Sequence, residues 1–84
     1  LNDERGRFYY PFPGNRRVHM YVERREGAVW FRMWNADDPQ MWEQHGWVPY
    51  EAIRKAAAMY TGKGFDPRRA YDLEIAEALL AEPD

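Results

Sequence analysis

The sequence predicts an α+β domain: a two- or three-stranded antiparallel sheet over residues 7–35, packed on about three helices over residues 38–82. Three observations carry this. Apolar residues recur at every second position between Arg17 and Asn35, nine of the ten alanines lie beyond Asn35, and Asp-Pro steps stand at Asp38-Pro39 and Asp66-Pro67. Strands followed by helices is the order of an α+β fold, whereas βαβ units would alternate. With 84 residues, the chain is read as one domain.

Taken in order, residues 1–6 are expected to form a flexible N-terminal tail. Arg7 to Tyr10 has the aromatic content of a strand, and Pro11-Phe12-Pro13-Gly14 ends it because proline cannot donate to a ladder. Val18, Met20 and Val22 then alternate with His19, Tyr21 and Glu23. After a four-residue turn at Arg24-Arg25-Glu26-Gly27, Val29, Phe31 and Met33 alternate with Trp30, Arg32 and Trp34. Gly27 supplies the positive φ such a turn needs.

Asp38 is expected to cap a helix of about two turns that starts at Pro39 and ends at Gly46. Pro49 opens a second helix through Tyr60 or Thr61, with Ile53, Ala56, Ala57 and Tyr60 at helical spacing. The third is expected from Pro67 to about Glu82. Its apolar residues spread widely, with Tyr71, Ile75, Ala78 and Leu79 on one side and Leu73, Ala76 and Leu80 on another. Arg68 and Arg69 in its first turn and Glu82 in its last oppose the helix dipole, partly offset by an Arg68–Asp72 pair.

Composition narrows the function classes. Leu, Ile, Val and Phe number only 14, so the ten Trp and Tyr residues must supply much of the core. The absence of cysteine excludes disulfides, thiolate chemistry and cysteine-based metal sites. His19 and His45 are the only imidazoles, without HxxxH or HExxH spacing, so no metal site or cofactor is expected. There is no serine and one threonine, Thr61, which leaves no hydroxyl nucleophile of promise. Asp37 and Asp38 read as capping groups and no spaced carboxylate pair stands on a pocket wall, so no catalytic residue is assigned. The longest apolar run, Ala56 to Tyr60, is too short for a membrane span, and a cytoplasmic protein without membrane contact is expected.

The candidate site is the sheet face opposite the Val, Met and Phe positions. It presents Arg17, His19, Tyr21, Trp30, Arg32 and Trp34, pairing flat π surfaces with cationic groups. Trp, Tyr and Arg are the residues enriched at binding hot spots. The expected function is a small non-catalytic interaction module that binds itself as a homodimer, or a protein partner, through this face. The competing structural explanation is that the aromatic N-terminal segment or a helix simply covers it.

Two alternatives stand beside this reading. Single-stranded nucleic acid could stack on the same aromatics, since residues 1–34 carry a net charge of +3, but residues 35–84 carry −5 and the pI is about 5.7. A small enzyme or accessory subunit with an unrecognised site is the other. Thr61-Gly62-Lys63-Gly64 fails the P-loop spacing, although Lys63, Arg68 and Arg69 could gather an anion near the last helix.

Overall fold

A computed structural model describes residues 1–59 and 70–83. Its strands are β1 (Asn2–Asp3), β2 (Gly6–Tyr9), β3 (Val18–Arg25), β4 (Ala28–Asn35) and β5 (Val48–Pro49). Its helices are α1 (Gln40–His45), α2 (Tyr50–Ala58) and α3 (Leu73–Ala81). The strands form one antiparallel sheet in sequential order. The α+β order is therefore present, but the sheet has five strands and not two or three.

The added strands are two residues each, too short to show any alternation in sequence. β1 folds back on β2 through a tight turn in which the Asp3 carboxylate accepts from the Arg5 amide at 2.8 Å and Gly6 takes φ +129°. In β5, Pro49 lies opposite Trp30 and Val48 opposite Phe31. An edge strand tolerates proline at a position whose N–H would be unused by the ladder.

β3 and β4 form the backbone of the sheet, in a register that pairs Met20 with Met33 and Val22 with Phe31. Their turn is tighter than the expected four residues. Only Glu26 and Gly27 lie between the strands, with φ of 51° and 79°, the doubly left-handed turn that matches strand twist.

The inner face carries Tyr9, Met20, Val22, Val29 and Phe31, closed by Ile53 of α2, Ala70, and Ala76 and Leu79 of α3. Met20 and Phe31 are completely buried. Leu73 and Leu80 are half-buried against this core, whereas Ile75 and Ala78 are exposed. The wide apolar circumference of the last helix thus divides into a buried side and an open one.

Helix ends depart from expectation in two places. α1 begins at Gln40 with Pro39 at the cap position, and no side chain caps it, so Asp38 does not serve as the N-cap. The last helix does not run unbroken from Pro67: Tyr71 and Asp72 are non-helical, and Asp72 starts α3 by accepting from the Ile75 amide at 3.2 Å. An Asp with a free carboxylate interrupts a helix readily because it can satisfy the next turn's donors itself. Arg7, from the sheet, donates to the Leu79 carbonyl in the last turn, placing a cation where the dipole favours one.

Candidate interaction face and an apolar cavity

Strand alternation puts His19, Tyr21 and Glu23 of β3 opposite Trp34, Arg32 and Trp30 of β4, all on the outer face. β2 adds Phe8, paired with Tyr21. The face is built as a layer of rings interleaved with guanidiniums. Arg5 lies 4.3 Å from the Trp34 ring centre, Arg32 3.9 Å from Trp42, and Arg25 5.6 and 5.3 Å from Trp30 and Trp47. Such pairs contribute about 0.5–2 kcal/mol each, more as water is excluded.

α1 crosses this layer. Trp42 meets Tyr21 edge-on at 5.4 Å, with Trp34 and Trp47 beside it at 6.4 and 6.3 Å. The Trp42 carbonyl accepts from Arg32 Nε at 3.0 Å and from its Nη2. Beneath, Tyr21 is fully buried and donates to the Asp3 carboxylate at 2.5 Å. Burial pushes the Tyr21 hydroxyl well above its ordinary pKa, and the Asp3 hydrogen bond and charge push it further. Burial alone would raise the Asp3 carboxyl, but the Tyr21 hydroxyl together with the Arg5 amide and charge outweighs it, so Asp3 is held below the usual carboxylate range.

The remaining candidates lie toward the other end. His19 stacks on Phe8 at 4.3 Å, its Nε2 is 3.1 Å from the Arg16 carbonyl, and its Nδ1 is 3.3 Å from the Tyr21 oxygen. A carbonyl only accepts, so Nε2 is the donor in that contact. Arg17 is exposed and paired with Asp37 at 2.8 Å. Trp30 and Trp34 are half-buried, and the Trp30 indole N–H has no partner among the described residues.

The structure therefore places the six predicted residues on one face but gives them unequal access: Tyr21 is beneath, Arg17 is at the surface, and the others are partly covered. Sequence reasoning missed Arg5, Trp42 and Trp47, which complete the layer from outside the alternating stretch, and Arg25, which it assigned to the turn although β3 extends to it. The i, i+2 rule finds partners within strands and says nothing of a turn or short helix folding over them. Lys63, Arg68 and Arg69, the proposed anion site, lie outside the described residues.

No family model, no curated protein and no solved structure matches the chain. Its chemistry must be read from the residues. Among the described residues there is no cluster of three metal-ligating side chains, and no helix is long and apolar enough to cross a membrane. A cavity of about 510 Å³ lies beside the free stretch of β4, between α1, β5 and Tyr71. A second, of about 700 Å³, lies between α2 and the start of α3. It has carboxylates of Asp72 and Glu74 and the Arg54 guanidinium on its walls, the last already paired with Glu51.

Proposed function

We propose that the chain is a small, non-catalytic interaction module that associates with itself, or docks a protein partner, through the outer aromatic and arginine face. The observation that supports this is the partial exposure of Trp30 and Trp34, which the domain leaves half-covered with Arg25 and Arg5 stacked on them. Large rings held by cations lose less side-chain entropy on docking, which lowers that part of the cost of association.

Contact area would come from Trp30 and Trp34, with Arg32 between them, His19 beside Trp34 and Tyr21 supporting the layer from below. Arg17 stands at the edge of the face, paired with Asp37. The complementary surface on a second copy is the outer side of α3, where Glu74 and Glu82 are exposed. Opposite charges on sheet and helix suit association between copies.

The test is sedimentation velocity at roughly tens of micromolar, a range typical of modest affinity. A dimer is expected, and Trp30→Ala with Trp34→Ala should weaken it while the far-ultraviolet circular dichroism stays that of the parent. A strictly monomeric protein that also captures no acidic protein partner would overturn the reading.

A further inference from the structure

The 510 Å³ cavity lies beside the outer face, with Arg32 common to both, and is within the range of small-ligand sites. Its apolar lining is formed by Phe12, Phe31, Met33, Met41, Val48 and Tyr71. Methionine and aromatic walls adapt to flexible apolar chains. The polar residues that border it are Arg32, Asn35 and His45, and among the described residues no acidic side chain lines it. Of the carboxylates that neighbour the lining residues along the chain, Asp72 caps α3, Asp37 is paired with Arg17, and Glu43 is exposed.

Backbone geometry supplies a further donor. The Ala36 amide donates to the Arg17 carbonyl, which sets the phase of the β3–β4 ladder, and Pro49 opposite Trp30 sets the same phase from the other side. In an antiparallel ladder alternate residues turn their N–H and C=O to opposite neighbours. Residues 29, 31, 33 and 35 therefore address the β5 side. β5 pairs Val48 with Phe31 and ends there, so the next position, Met33, has no backbone partner among the described residues. Its N–H is directed to the side on which the cavity lies. An amide left unpaired there is a donor that a ligand can use.

We propose that this cavity binds a small apolar carboxylate, its hydrocarbon part among the methionine and aromatic walls and its anionic end at the Met33 amide and His45. Charge complementarity selects this ligand, because Arg32 and hydrogen-bond donors border the cavity and, among the described residues, no carboxylate does. An amine-bearing chain would find no counter-charge among the described residues, and a neutral alcohol accepts from the donors more weakly than a carboxylate does.

Decanoate, decanol and decylamine, matched in length, separate these cases when titrated into isotopically labelled protein below their aggregation limits and followed by amide chemical shifts. Saturable decanoate binding is expected, with shifts centred on Met33, Met41, Gly46 and Val48, at least about tenfold tighter than decanol or decylamine. His45→Glu should weaken decanoate by about fivefold or more and leave decanol unchanged. Met41→Trp, which fills the cavity, should abolish binding while spectral dispersion persists; Val48→Phe serves the same purpose if Met41→Trp does not fold. Equal affinity for decanoate and decanol, shifts centred on the outer tryptophans, or no saturation by any of the three would overturn the proposal.

Discussion

The Tyr9 hydroxyl accepts a hydrogen bond from the Asp72 amide at 2.9 Å and donates its own to the Ala70 carbonyl. One side chain of the sheet thereby satisfies both backbone groups exposed by the break ahead of α3. Tyr9 is 7% exposed, so water cannot take over either role. Tyr9→Phe keeps the ring and removes both bonds, leaving an amide and a carbonyl unpaired in a dry place. A loss of about 1–3 kcal/mol is expected in urea unfolding. A change near zero would mean that the 70–72 segment relaxes to other partners.

The same hydroxyl makes stability fall in alkali. Burial, foremost, raises the Tyr9 pKa from 10.0 to about 12. The unfolded chain releases this proton near pH 10, so above that pH the folded state holds the extra proton and loses stability as pH rises. The contribution is whole below about pH 10 and gone above about pH 12, with a slope of at most about 1.4 kcal/mol per pH unit for one tyrosine. Tyr21 and Tyr71, raised mainly by burial, act in the same direction. The cost of Tyr9→Phe should therefore shrink between about pH 9 and about pH 11 when urea midpoints are compared. A constant cost would refute the assignment of the shift to Tyr9.

How much of this was legible in sequence depends on range. The β3–β4 pairing was readable because eight-residue strands with Met20, Val22, Phe31 and Met33 on one face leave only one register that buries them. β1 and β5 were not, because two residues carry no period and their pairing is decided by a turn and by Phe31 and Trp30 across the sheet. The break at Asp72 was missed for a similar reason: Asp72 reads as a tolerable interior residue until Tyr9, 63 positions away, is seen to hold the non-helical backbone. The outer face was half legible. Alternation found Trp30, Arg32 and Trp34, but α1 and Arg5 reach them through tertiary folding. The cavity had no signal, since its walls come from β4, α1, β5 and residue 71.

Glu26 offers a route to higher stability. Its φ of 51° is in the left-handed region, which costs a residue with a Cβ about 1–2 kcal/mol, and its side chain is exposed. Glu26→Asn should raise the melting temperature, with a gain of about 0.5–1 kcal/mol, because asparagine visits this conformation more readily. Gly27→Ala at φ 79° should lower it by about 1 kcal/mol or more. Opposite signs at adjacent positions test the turn geometry, and a loss in both would argue for a longer loop.

α1 depends on Arg32 more than on its own residues. Six residues are far below the length at which a helix is stable in isolation, no side chain caps it, and none of its residues is fully buried. What holds it is the guanidinium of Arg32, stacked on the Trp42 ring while two of its nitrogens donate to the Trp42 carbonyl. Lysine keeps the charge but has no planar group to stack and no fork to share between two bonds. Arg32→Lys should therefore lower local stability by about 1–2 kcal/mol. Hydrogen exchange at the Gln44 and His45 amides should accelerate by about 5- to 30-fold, with the Tyr21 amide in the sheet unchanged. An equal acceleration at Tyr21 would show that α1 and the sheet open as one unit, and that Arg32 supports the whole fold instead of anchoring the helix.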